Sequence, residues 1–399
     1  MQRFFIFITI ITILIGLMYY YVGSRFLEGT SISGSLRILF WVAIFFLILL
    51  TPVSYFFSLF LEESEWQKSF SFIAFTSLGF LTILFSLVLI HDLSISIVNG
   101  FQAVFAFFRT EIITDQGMES SINRKDFFLH LIKPSLGLIS ISLTGYGVYK
   151  AVHKVDVKRV DIPINDLHPD LENFKIVQIS DIHIGPTIKK DFLEEVVRRI
   201  NVLQPDIIAI TGDLVDGSVY KLKHHLEPLK NLKSKYGSFF VTGNHEYYSG
   251  VLSWLPEIRN LGIHVLLNQN HIVNSGEAKL LVGGVTDYKA HTILPSHASD
   301  PEKAILSKEK TDFKLLLAHQ PNSVFEAAIV GFDLQLSGHT HGGQYFPGNL
   351  LIHLFQKFVA GLYKHGDIWL YVSSGTGYWG PPIRIGAPAE ITEINLKRG

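Results

Sequence analysis

Long uncharged runs fill the first 150 residues of this chain, and short apolar runs broken by charge fill the rest. Residues 4–22, 38–61 and 69–90 each lack Asp, Glu, Lys and Arg. Each is near the roughly 20 residues that a helix needs to cross a hydrocarbon core of about 30 Å. A fourth run, 127–148, is weaker: it holds Lys133, Pro134 and several Ser and Gly. Its lysine can snorkel toward an interface. Residues 93–108 are uncharged but short, which fits an interfacial or re-entrant segment. The first run lacks a small-residue cleavage pattern and further runs follow it, so it reads as a retained helix. The pattern predicts an α-helical transmembrane unit over residues 1–150 with about four spans.

From residue 155 the periods change. VKRVDIPI (157–164) alternates, as an edge strand does, and FKIVQIS (174–180) predicts a strand. In 189–201, Leu193, Val196, Val197 and Ile200 recur at helical spacing. Strands are predicted at 206–211, 238–242, 279–285, 313–318, 333–337, 369–374 and 391–396. Helices are predicted at 220–232 and 251–261, where Pro228 and Pro256 fall inside, and at 323–329. Alternating strands and helices, followed by strands with loops, predict a layered α/β (α+β) sandwich over 155–399, with two packed sheets.

Charge sharpens this division. Residues 1–150 carry 18 charged side chains and 151–399 carry 51. The net charge of −1 points to no nucleic-acid partner. Basic residues at the ends of the runs nearly balance between the two orientations. The Lys150–Arg159 cluster favours a cytoplasmic second half of an integral membrane protein, in a cell membrane. The chain has no cysteine, so a transition metal would be held by nitrogen and oxygen alone.

Five motifs at the ends of predicted strands carry candidate chemistry: SDIHIG (Asp181, His183), TGDLVDG (Asp213, Asp216), TGNHE (Asn244, His245), LLAHQ (His319) and SGHTHGG (His339, His341). Strand ends are where α/β proteins keep their sites. In an extended segment, residues two apart share a side, so Asp181 and His183 can meet one cation, as can His339 and His341. Asp213 follows a glycine and can aim a carboxylate between two cations. This nitrogen/oxygen set suits Mn, Fe or Zn more than Mg or Ca. Two divalent cations about 3.5–4 Å apart would activate water and orient a phosphoester. His245 can protonate a leaving oxygen, and Asp216 can orient His245.

The motifs resemble the calcineurin-like metallophosphoesterase superfamily, whose pattern runs D-x-H, G-D-x-x-D, G-N-H-[DE], H, G-H-x-H. The resemblance covers about residues 172–398 and implies a four-layer sandwich. It implies one metal held by Asp181, His183, Asp213 and His341, and another by Asp213, Asn244, His319 and His339, with His245 as proton donor. The ending GTGYWGPPIRIGAPAEITEINL is similar to a membrane-associated bacterial phosphodiesterase branch, typified by an enzyme acting on a UDP-linked diacyl sugar.

Other residues keep two readings. The apolar stretch Leu350–Leu362 fits either a packed helix or a hydrophobic lip beside the metals. Tyr378 and Trp379 fit an aromatic edge or a structural turn. Arg384 fits a substrate phosphate or a buried ion pair, and Asp287 a loop cap. The expected function is a membrane-anchored two-metal phosphohydrolase, most simply a phosphodiesterase, with a phosphoester or pyrophosphate substrate that is lipid-linked or lies near the membrane. A transporter, or a metal sensor with a non-catalytic phosphoesterase-like domain, is the competing expectation.

Overall fold

The computed structural model describes the backbone of residues 2–28, 30, 32–108 and 122–399, and the side chains of all of these but 2–5, 7, 106–108 and 122–131. The chain forms two compact units, one of residues 1–57 and 73–146, the other of 58–72 and 147–399.

Four helices lead: α1 (Gln2–Leu27), α2 (Gly34–Phe60), α3 (Glu65–Phe108) and α4 (Ile122–His153). Among the described residues, three stretches are long and apolar enough to cross a membrane: Ile8–Leu27, Gly34–Phe60 and Glu65–Phe105. Large apolar side chains of α2 face outward, with Ile38 68% and Phe46 63% exposed, as in helices solvated by lipid. Within the first unit Ile15, Tyr19, Val22, Ile44 and Leu81 pack together. A Cβ on Gly23 would lie 2.6 Å from Ile44 Cδ1, so glycine is what lets α1 and α2 approach.

One expectation changes here. Residues 69–90 and 93–108 are not separate segments but parts of the single 44-residue helix α3. No proline interrupts it, and Ser94 and Ser96 bond back to the carbonyls of Ile90 and Asp92 without breaking the ladder. The expected fourth span, 127–148, lies in α4, outside the three apolar stretches; the side chains of 127–131 lie outside the described residues.

The second unit continues with β1 (Val155–Ile164), β2 (Lys175–Ile179), α5 (Lys190–Leu203), β3 (Ile207–Ile210), α6 (Val219–Leu222) and β4 (Ser238–Phe240). Then follow α7 (Asn244–Tyr248), α8 (Val251–Asn260), β5 (His264–Val265), β6 (Gln269–Ser275), β7 (Ala278–Gly284) and α9 (Pro301–Ile305). The chain closes with β8 (Phe313–Leu317), α10 (Val324–Val330), β9 (Leu334–Ser337), α11 (Gly348–Phe355), β10 (Gly361–His365), β11 (Ile368–Val372) and β12 (Ala389–Arg398). One sheet runs β1-β12-β2-β3-β4-β5 and the other β10-β11-β9-β8-β7-β6.

Strand alternation builds the layers. Ile207 and Ala209 of β3 and Leu315 and Leu317 of β8 share the core between the sheets. Their neighbours point the other way. Ile208 and Ile210 pack with Leu193, Val196 and Ile200 of α5, while Leu316 packs with Val324 and Ala327 of α10. Each such buried Leu, Ile or Val contributes about 1.5–3 kcal/mol. The result is helix, sheet, sheet, helix, as the alternating periods predict. Over 220–232 the expected helix is only α6 plus a 3₁₀ segment, Lys223–Asn231, that contains Pro228. Proline cannot donate the backbone bond that an α-helix needs there.

Candidate metal centre

Strands β2, β3 and β4 are parallel in one sheet, as are β7, β8 and β9 in the other. Their carboxyl ends carry the candidate residues. Asp181 follows β2, Asp213 follows β3, Asn244 follows β4, His319 follows β8 and His339 follows β9. The two-residue spacing brings Asp181 and His183 into one cluster, though not through extended backbone, whereas His339 and His341, expected to meet one cation, go to different clusters. Asp181 (φ 54°), His183 (56°), Asp213 (52°), His339 (74°) and His341 (52°) all lie in the left-handed region. Non-glycine residues rarely adopt it, and such strain persists only where the surroundings impose it. The chain turns sharply at each of these side chains and aims it inward.

Two triplets converge, Asp181–His183–His341 and Asp213–His319–His339, with the ligand atoms of each within 4.8 Å of one another. His183 Nε2 lies 3.0 Å from His341 Nε2, and His339 Nδ1 lies 3.2 Å from His319 Nε2. The Asp213 Oδ2 atom lies 3.1 Å from His319 Nε2 and 3.9 Å from His183 Nε2, between the triplets. Asn244 Oδ1 is buried without a hydrogen-bond partner among the described residues. Buried polar atoms seldom remain unpaired. An orphaned amide oxygen, imidazoles turned toward each other and two buried carboxylates form a nitrogen and oxygen donor set that fits divalent metal.

The surrounding bonds hold these groups in place. Asp216 Oδ2 lies 3.0 Å from His183 Nδ1, and its Oδ1 bonds to His245 Nδ1. Thr211 O accepts from His319 Nδ1 at 2.8 Å. Burial raises the cost of charge on Asp213, but His319 and His245 outweigh it and hold this carboxyl well below its usual range. Burial likewise lowers the His245 pKa, yet Asp216 and Asp213 together lift it to about 9. An imidazole of this kind carries the proton that a general acid must give up.

Arg384 is placed differently from the phosphate-binding expectation. It is 1% exposed, and its guanidinium donates to the carbonyls of His341, Ser374, Gly377 and Ala387. One nitrogen also reaches His341 Nδ1 at 3.2 Å. Burial, with His183 and this adjacent cation, opposes protonation of His341. Asp287 matches its loop-cap reading: it accepts from the Lys289 amide at 2.9 Å and from Gln320.

Sequence reasoning assigned nothing to Glu246. This fully buried carboxylate accepts from the amides of Asp213, Leu214 and Gly243, tying two of the motif loops together. Its only signal is the acid that follows Asn244-His245. Tyr248 and Trp379, 68% and 46% exposed, flank the His245 ring at centroid distances of 5.3 and 5.6 Å.

Comparison with known proteins identifies the family of this domain. Residues 174–343 match the calcineurin-like phosphoesterase family. An uncharacterized metallophosphoesterase of Helicobacter pylori is 40% identical over 292 residues, which is 70% of this chain and 76% of that protein. A transmembrane protein with metallophosphoesterase domain from Bos taurus is 37% identical over 67% of this chain and 63% of its own length. Among solved structures, the Haemophilus influenzae NAD nucleotidase aligns at TM-score 0.37 and 15% identity, over 51% of this chain and 45% of that one. Family and apolar helices together imply membrane association and a phosphoester substrate. The chain belongs to the calcineurin-like metallophosphoesterases and is a membrane-associated, metal-dependent phosphoesterase.

Proposed function

We propose that the chain is a multi-pass membrane phosphohydrolase with two divalent cations, cleaving a phosphodiester or pyrophosphate bond. Asp181, His183, Asp213 and His341 would hold one cation, and Asp213, Asn244, His319 and His339 the other. When bound, such a pair supplies the positive charge that activates water and offsets charge on the phosphoryl oxygens. His245 gives a proton to the leaving oxygen, and Asp216 holds its ring. The Lys150–Arg159 cluster favours a cytoplasmic site in a cell membrane. Lipid-linked phosphoesters are a natural substrate class for a site tethered in this way.

The observation that carries this reading is the place of Asp213 between the two triplets, with His245 Nε2 4.0 Å from Asp213 Oδ2. The test uses purified full-length protein in detergent, loaded with Mn²⁺ and given bis-(p-nitrophenyl) phosphate. The expected result is turnover abolished by chelation and about two metal ions per chain by elemental analysis. Absence of metal-dependent turnover would overturn the catalytic reading, and one ion per chain would overturn the dinuclear one.

A further inference from the structure

The loop that carries His339 and His341 runs directly into α11. Leu350, Leu351, Leu354 and Phe355 of this helix are 63, 48, 76 and 79% exposed, and no residue of α11 is buried. Leu350 and Leu354, like Leu351 and Phe355, are four apart, so the four form one stripe. Soluble surfaces seldom leave such a stripe uncovered. Of the two sequence readings of 350–362, the packed helix does not hold for α11.

Three features indicate what covers the stripe. Three stretches among the described residues are long and apolar enough to cross a membrane, so lipid is always at hand. No acidic residue occurs between Asp333 and Asp367, while Lys357 and Lys364 do, which suits anionic head groups. Lys357 lies over the rings of Phe325 and Phe358 at 5.3 and 5.4 Å, the mixture of cation and aromatic found at membrane interfaces. Within its own unit, the first turn of α11 is bonded to the segment that contains Arg384. Asn349 Nδ2 donates to the Ile385 carbonyl at 3.4 Å, and the Arg384 amide donates to the Gly147 carbonyl at 3.0 Å. The unit's long C-terminal segment begins at that Gly147.

We propose that α11 is an interfacial helix whose Leu350–Phe355 stripe lies in the lipid surface, fixing the adjoining metal-binding loop at the bilayer. The proposal stands apart from the catalytic reading, because the depth of α11 and the turnover of a phosphoester are measured separately.

The absence of cysteine makes the test direct. Phe355→Cys and, separately, Leu354→Cys are labelled with an NBD fluorophore in the full chain, in nanodiscs of phosphatidylcholine and phosphatidylglycerol. Leu306→Cys, at a site 70% exposed on the same unit, is the water-facing control. The expected result is blue-shifted emission at 354 and 355, quenched at least twofold more by acyl-brominated lipid than at 306. Emission and quenching equal to those at 306 would overturn the proposal. A blue shift without bromolipid quenching would also overturn it, indicating that protein, such as a second copy of the chain, covers the stripe.

Discussion

Asp216 and His245 are joined directly, carboxylate Oδ1 to imidazole Nδ1, which leaves His245 Nε2 on the side of Asp213. The bond fixes the ring and favours the proton on it. Asp216→Asn keeps the shape but loses the charge. General acid catalysis contributes about 10²–10⁴-fold. The expected outcome is a kcat lower by up to that factor at saturating metal, with metal held more weakly because Asp216 also orients His183, checked by steady-state kinetics over a metal titration alongside elemental analysis.

Arg384 should matter for stability and metal retention rather than for substrate. Arg384→Met leaves several buried carbonyls without donors, at about 1–3 kcal/mol each. Thermal melts should therefore show a loss of at least about 3 kcal/mol, together with weaker metal binding. In the fraction that stays loaded, KM should be unchanged; a KM raised tenfold with normal metal content would restore the phosphate-binding role.

Gly243 is required by close approach. A Cβ there would meet Asp213 at both its carboxylate and, at 2.6 Å, its amide nitrogen. Gly243→Ala should displace Asp213 and lower bound metal below that of the wild type, while far-ultraviolet circular dichroism stays native. Full metal content in this variant would contradict the placement of Asp213.

Asp333 gives a pH dependence away from the site. Burial raises its pKa, opposed by the Lys314 amide that donates to it at 2.7 Å. A carboxyl whose pKa is raised by folding adds stability below its unfolded value, and that stability is lost as pH rises through the folded value. Asp333→Asn should therefore melt at or above the wild-type temperature at pH 7, and lose that advantage near pH 3.5. Melting curves at the two pH values decide it.

Much of this was legible in the sequence because strand ends deliver the ligands, and the strands announce themselves. Asp181, Asp213, Asn244, His319 and His339 each follow a short buried run. The geometric reason differs from the one that spacing offers: left-handed turns, not extended backbone, pair Asp181 with His183. What pattern missed is polar or at an edge. β6 and β10 are outer strands of their sheet, half-exposed and without a clean apolar alternation. The continuity of α3 was hidden because His91-Asp92 looks like an end, although the helix runs through it. Glu246 and Arg384 work through backbone groups, of which Asp213, Leu214 and His341 are remote in sequence, and no local pattern marks such partners.

In the proposed reaction His245 protonates the leaving oxygen. The most direct test of this step is kcat/KM for metal-loaded wild type and His245→Ala over phosphodiesters whose leaving groups range from good to poor. The wild type should show a shallow dependence and the variant a steep one, with losses of about 10²-fold or more confined to poor leaving groups. Parallel dependences, with the variant equally slow or equally fast throughout, would contradict it.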